Sequence, residues 1–276
     1  MSSPFILNYI LQYHLQVNSH LEVASLIRNL FYVDNLILTS NQVEVLPKLI
    51  KGINEIMQAG GLPLREWTSN NPELLVSLNE EEKCHSGEVK VLGYLYDPHE
   101  DLLRLKKDSL NTNASSKRQV LSSLASIFDP IGIFSPVLLQ GKLLIRKMCQ
   151  LSLDWDQELD AELLDLWRKF CNAFEDISGI PFNRKSFDTD APVKLFLFAD
   201  ASKEAYGCTI YAVQGNSSFL FFSKVKVSPL KERTLPSLEL LAAQLSLKCL
   251  QSIFDDVCFQ VLKLMVLLSS LTARLY

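Results

Sequence analysis

Three acidic side chains in this sequence stand where a carboxylate could hold a cation. Asp34 lies in "FYVDNLILTS", residues 31–40, between two apolar runs and directly before Asn35. Aspartate and asparagine favour tight turns, because their short polar side chains bond to nearby backbone and tolerate left-handed dihedrals. The stretch therefore reads as a hairpin with Asp34-Asn35 at its turn. Asp200 follows "LFLFA", an apolar run that reads as a buried strand, so its side chain emerges at the strand's end. Glu239 is expected in the first turn of a helix that starts around Pro236 and Ser237. One carboxylate from a strand and one from a helix suit Mg²⁺, a hard ion that takes oxygen ligands. Each acid also has a plain explanation. Asp-Ala-Ser after a strand forms turns, and a glutamate early in a helix is favoured by the macrodipole.

The basic side chains offer a second kind of chemistry. Lys142, Arg146 and Lys147 fall along one expected helix, while Lys224, Lys226 and Lys231 follow an expected strand. Such groups can track phosphates, although a solvated surface uses the same residues. Asp129 in "FDPIG" and the pair Asp154 and Asp156 in "LDWD" read as a turn and a helix cap. The six cysteines include no C-x-x-C pair and lie mostly in apolar segments, the pattern of buried free thiols. Cys84 and His85 are adjacent on a polar stretch, where neighbouring side chains diverge, so they carry no metal role.

The elements that position these residues follow from periodicity. Residues 4–17 carry apolar side chains at helical spacing after Ser2, Ser3 and Pro4. From 45 to 57, apolar positions 46, 49, 50, 53, 56 and 57 predict a helix, with Pro47 near its start and Gly60-Gly61 past its end. Residues 69–88 read as a polar loop. "EVKVLGYLYD" reads as one strand and "DLLRLK" as its hairpin partner. Between 117 and 175 the pattern is helical, and 176–192 reads as a linker rich in aspartate and proline. Three strands then precede a long helix with apolar positions 238, 241, 245 and 249.

At 276 residues and 48% hydrophobic content, the chain is long enough for two modest domains. A net charge of −4 means that a polyanion partner must meet a local basic patch. No secretory signal opens the sequence, and the apolar stretch at 257–271 falls short of a membrane span. It reads as a buried strand. The expectation is an intracellular protein of cytoplasm or nucleus, with no membrane partner.

Five motifs in register carry a family resemblance. Tyr32-Val33-Asp34 at a hairpin turn resembles the Tyr-x-Asp-Asp signature of reverse transcriptases, and "SSPFILNYILQYHL" resembles the palm helix upstream of it. "GGLPLREWTSN" and "VLGYLYD" resemble the segments leading to the primer-gripping strands. "KRQVLSSLASIFDPIGIFSPVLLQGKLLIRKM" with "LDWD" resembles the Pao retrotransposon peptidase family block of BEL/Pao-type Pol polyproteins. "LFLFADASKEAYGCTIYAV" with "KVKVSPLKERTLPSLELLAA" resembles their ribonuclease H-like domain.

The resemblance implies an α+β and α/β multidomain fragment. It would comprise the end of a reverse-transcriptase palm over 1–105, a helical connection over 106–190 and a ribonuclease H-like mixed sheet with helix, cut short, over 191–276. The family copies RNA into DNA and degrades the RNA strand of the hybrid, using Mg²⁺ or Mn²⁺ between carboxylates. By resemblance Asp34 is a polymerase ligand, with the neutral Asn35 in place of the second aspartate. Asp200 and Glu239 form a remnant ribonuclease H pair, and Ser269 stands where a further aspartate belongs. The first polymerase aspartate is expected upstream of Met1 and a last acid beyond Tyr276. The middle block lacks the Asp-Thr/Ser-Gly loop of aspartic peptidases. The expected partners are an RNA–DNA hybrid or other nucleic acid and the rest of Pol, with catalysis degraded. The alternative is a non-enzymatic nucleic-acid or protein binding module from a captured element.

Overall fold

A computed structural model describes residues 3–40, 42–105, 110–185, 187 and 191–256. The chain divides into two compact units, Met1–Leu103 and Arg104–Tyr276. The boundary expected at 190/191 therefore falls inside the second unit.

In the first unit, helix α1 (Ser3–Val17) leads through a short α2 (Glu22–Ile27) to a hairpin of β1 (Phe31–Tyr32) and β2 (Asn35–Leu36). Helix α3 (Leu46–Ala59) begins with a proline in its first turn and stops at Gly60, with Gly61 at φ +69°. Proline fits the first turn because its missing N–H has no intrahelical partner there, and glycine takes the positive φ freely. Leu11, Leu15, Ala24, Ile27, Ile53, Ile56 and Met57 close one core between α1, α2 and α3. Each such aliphatic side chain, fully buried, contributes roughly 1.5–3 kcal/mol. The His14 Nε2–Ile56 carbonyl contact at 2.9 Å ties α1 to the end of α3.

Two expectations change here. The apolar runs on either side of the first turn do not pair over their length: only two residues on each side form a ladder, and residues 22–27 before it are helical. Phe31 and Leu36, the outer pair of this ladder, and Leu38 beyond it pack on the helical core. "EVKVLGYLYD" is itself a hairpin, β3 (Val89–Val91) and β4 (Tyr94–Asp97), with Val91 opposite Tyr94. Leu92 and Gly93 hold its turn at φ +51° and +89°. Positive φ at both turn residues gives the twist that hairpins favour. Strand β5 (Leu102–Leu105) adds to β4.

The second unit starts with α4 (Lys117–Ser126), α5 (Ser135–Gln150) and α6 (Ala161–Ser178). Ser116 and Asp160 cap α4 and α6 by accepting backbone N–H bonds, which supplies orphan donors at each helix start. Trp167 is fully buried, stacks on Phe170 at 5.3 Å and donates from Nε1 to the Asn111 carbonyl at 2.9 Å. A short β6 (Phe182–Asn183) follows.

Strands β7 (Lys194–Ala201), β8 (Ala205–Gln214) and β9 (Ser217–Val227) form an antiparallel meander, and α7 (Leu235–Asp256) covers one face. Leu195 and Leu197 from β7, Cys208, Ile210 and Ala212 from β8, and Leu245, Cys249 and Leu250 from α7 make its core. The apolar stretch 257–271 and Ser269 lie outside the described residues.

Candidate functional site

At the hairpin tip, Tyr32 pairs with Asn35, so Val33 and Asp34 are the two turn residues. Asn35 is thus the first residue of β2, and the turn lies one place earlier than the sequence suggested. Val33 sits at φ +57°, a left-handed conformation that a β-branched residue rarely adopts. Asp34 and Asn35 are exposed, and Asn35 Nδ2 donates to Asp34 Oδ1 at 3.3 Å.

The second carboxylate pair is organised by the sheet. Ala201 at the end of β7 pairs with Tyr206, and Ala205 pairs with Val227 at the end of β9. The close of β7, the opening of β8 and the close of β9 therefore share one end of the sheet. The chain leaves β9 at Val227 and enters α7 at Leu235. Asp200 thus lies at the end of the sheet from which the chain runs on toward α7. Both Asp200 and Glu239 are exposed. The turn after Asp200 is bonded by Ser202, whose hydroxyl accepts the Glu204 and Ala205 N–H groups at 3.2 and 3.1 Å.

Two details refine the expectation. Helix α7 begins at Leu235 with Pro236 inside its first turn, so Glu239 is the fifth helical residue and not part of the first turn. The dipole acts chiefly on the first turn, which weakens the plain explanation of Glu239. Alternation along β7 puts Leu195, Leu197 and Ala199 toward α7 and Asp200 on the other face. The two carboxylates thus start from opposite faces of β7, whose edge opposite β8 has no strand partner among the described residues. No group of three or more His, Cys, Asp or Glu comes together among the described residues. The described residues do not supply a full two-ion site.

Two acids of the middle block, Asp129 and Asp156, have structural partners. Asp129 accepts three backbone N–H bonds, from Gly132 and Ile133 at 3.1 Å and from Phe134 at 2.9 Å, and so folds the loop into α5. Asp156 takes a two-pronged pair of bonds from Arg118 at 2.7 and 2.9 Å. That guanidinium lowers the Asp156 carboxyl below its ordinary value.

The basic residues divide into two groups. Lys142 Nζ donates to the Val225 carbonyl at 3.3 Å, and Arg146 donates to the carbonyls of Ser228 at 3.0 Å and Pro229 at 3.3 Å. Lys147 pairs with Glu162 at 2.5 Å. Burial lowers the Lys142 ammonium from its ordinary value. Lys142 and Arg146 fasten α5 to β9 and its exit, because an edge strand leaves carbonyls that need donors, while Lys147 ties α5 to α6. Ser223 completes the attachment, its N–H bonding the Ile131 carbonyl and its hydroxyl the Gly132 carbonyl, each at 2.8 Å. Lys224 and Lys226 stay exposed. Together with Lys142 they border a groove of about 630 Å³ between the α4–α5 segment and β9. Sequence reasoning missed the attachment because its partners lie more than 80 residues apart.

No described helix is long and apolar enough to cross a membrane. A comparison with curated proteins found no match. Among solved structures, the chain is similar to the foamy viral protease-reverse transcriptase dRH in complex with double-stranded DNA, at TM-score 0.52 and 14% identity over 88% of this chain and 41% of that one. It is also similar to the foamy viral protease-reverse transcriptase with an RNA/DNA hybrid, at TM-score 0.52 and 13% identity over 89% and 31% of the two chains. Likeness at this identity concerns the fold, a mixed arrangement of sheets and helices. The chain spans less than half the length of each of these proteins. Residues 116–270 match the Pao retrotransposon-like RNaseH-like domain, which takes in α4 to α7 without a break. The chain belongs to the Pao retrotransposon RNaseH-like family.

Proposed function

We propose that this chain is a fragment of a BEL/Pao-type Pol polyprotein whose ancestral work is RNA-directed DNA synthesis and cleavage of the RNA–DNA hybrid. Residues 1–105 are its reverse-transcriptase palm end, and the family-matched remainder is its ribonuclease H-like part. Asp200 and Glu239 are what remains of a Mg²⁺ or Mn²⁺ cradle, and Asp34 is a former polymerase ligand. The observation that carries this reading is that Asp200 lies at the end of the sheet from which the chain runs into α7, inside the RNaseH-like span. The strained Val33 beside Asp34 supports the palm half, because strain of this kind concentrates where a chain holds a reactive group in place. Asn35 contributes a neutral amide where a second charge would strengthen cation binding.

The chain therefore binds nucleic acid without turning it over. Solved relatives of its fold hold double-stranded DNA and an RNA/DNA hybrid, which supports a hybrid as the ligand. Lys224 and Lys226, exposed beside the groove, are the phosphate contacts, while Lys142, Arg146 and Lys147 support them from α5. Incubation with a labelled hybrid in Mg²⁺ or Mn²⁺ tests both halves. Binding with no cleavage is expected. Robust cleavage abolished by Asp200→Asn would overturn the loss of catalysis, and failure to bind any nucleic acid would leave the protein-binding alternative.

A further inference from the structure

The outer edge of β9 offers donors more readily than acceptors. The Ser223 N–H bonds to Ile131 and the Val225 carbonyl accepts from Lys142, so both residues turn backbone groups away from β8. In an antiparallel ladder that orientation repeats every second residue, so the N–H groups of Val225 and Val227 face the same way. They open into the groove of about 630 Å³ between the α4–α5 segment and β9. The Val225 carbonyl is already engaged by Lys142, and those of Ser228 and Pro229 by Arg146. An added strand needs acceptors and donors in turn and meets filled acceptors here. An anion needs only donors.

Charge points the same way. Lys142, Lys224 and Lys226 line the groove, and Asp129 is the one acid in its described lining. The Asp129 carboxylate is committed to three backbone N–H groups. Loss of hydration at the groove lowers the Lys142 ammonium from its ordinary value; the Asp129 charge opposes this and the Lys224 charge adds to it. An anion between the two lysines relieves their repulsion, and ammonium groups hold phosphate as point charges. The groove is also bounded. At one end Ser223 is bonded to Ile131 and Gly132, and at the other Arg146 reaches across to Ser228 and Pro229. A continuous nucleic-acid strand cannot thread such a floor, whereas the volume is that of a small-molecule site. Leu124, Ile127 and Leu138 supply an apolar wall. Asp200 stands on β7, the opposite edge of the three-stranded sheet.

We infer that this groove binds a phosphomonoester with an apolar or planar body, its phosphate held by Lys142, Lys224, Lys226 and the Val225 and Val227 N–H groups. The site shares Lys224 and Lys226 with the hybrid contacts proposed above and depends on neither the Pol reading nor the acids at 200 and 239. Calorimetric titration of the full chain with adenosine monophosphate, octyl phosphate, adenosine and inorganic phosphate tests it. At least one of the two esters should bind about tenfold or more tightly than adenosine and inorganic phosphate, and which one binds identifies the body. Lys142→Gln removes a charge at the groove and should weaken that ester about tenfold or more. Lys224→Gln leaves the α5 attachment alone and should weaken it too, which keeps the test decisive if thermal melting shows Lys142→Gln unfolded. Binding of neither ester, equal binding of inorganic phosphate, or an affinity indifferent to the folded variants would overturn the inference. Hybrid binding is read separately in the same preparations. A chain that binds hybrid but neither ester contradicts only the groove site, and one that binds an ester but no hybrid contradicts only the Pol reading's phosphate contacts.

Discussion

Asn35 donates a hydrogen bond to the Asp34 carboxylate at 3.3 Å, at the tip of a hairpin only two residue pairs long. The neutral amide thereby rests against the charge that a second carboxylate would repel. Asn35→Asp replaces this bond by like-charge repulsion and adds a hard oxygen ligand. Mn²⁺ affinity at the tip should rise several-fold over wild type, as read by titration against the electron paramagnetic resonance of the free ion. Equal affinity in the two proteins would remove Asp34 from the account.

Val33 holds its left-handed turn at a steric cost of about 1–2 kcal/mol. Glycine releases that strain but makes the unfolded chain more flexible, so the net gain from Val33→Gly should be about 1 kcal/mol or less. Urea denaturation monitored by circular dichroism measures it. A loss of more than 1 kcal/mol would show that the valine side chain, and not the turn, sets the energy here.

Gly132 is the tightest contact between the α4–α5 segment and the sheet. It sits at φ +79°, and a Cβ there would meet the Ser223 carbonyl oxygen at 1.8 Å. Gly132→Ala should destabilise by about 3 kcal/mol or more, since clash and strain add. Ser223→Ala removes one buried hydrogen bond and should cost about 1–3 kcal/mol. Thermal unfolding of the two variants ranks them, and the reverse order would contradict the described packing.

Cys208 touches Cys249 in the core under α7, and burial pushes the Cys208 thiol up from an ordinary 9.0 to about 12. A raised folded-state value means that the folded protein retains this proton where the unfolded chain has lost it. The contribution is complete below pH 9 and declines as pH rises toward 12. Stability should therefore fall across that alkaline window, and Cys208→Ala should flatten the fall. Thiol reagents at pH 8 should label Cys84 and Cys149 well before Cys171, Cys208 and Cys249, the buried ones among the described residues.

For nucleic-acid binding, Lys224→Ala with Lys226→Ala should weaken hybrid affinity and reduce the slope of log affinity against log salt by about 2. Fluorescence anisotropy over a salt series reads both. An unchanged slope would move the phosphate contacts elsewhere.

Much of the architecture was legible because local pattern and tertiary burial agree. In α3, the apolar period and the Pro47 and Gly60 punctuation coincide with the buried set Ile50, Ile53, Ile56 and Met57. The runs at β7, β8 and β9 were long enough to be read directly. The β3–β4 hairpin was missed because Leu92 takes a positive φ that its residue type does not advertise. The first hairpin stops at two pairs because beyond Leu36 the apolar Leu38 packs on the helical core without pairing as strand. The duties of Lys142 and Arg146 depend on carbonyls 82 or 83 residues away, which no local pattern reveals.

Most direct of all is a Mn²⁺ titration followed by backbone amide resonances of the isotope-labelled chain. Broadening should appear together at the end of β7 around Asp200 and at the start of α7 around Glu239, and Asp200→Asn should abolish it at both places. Broadening at one location without the other, or broadening that survives the substitution, would contradict a shared cation cradle at this end of the sheet.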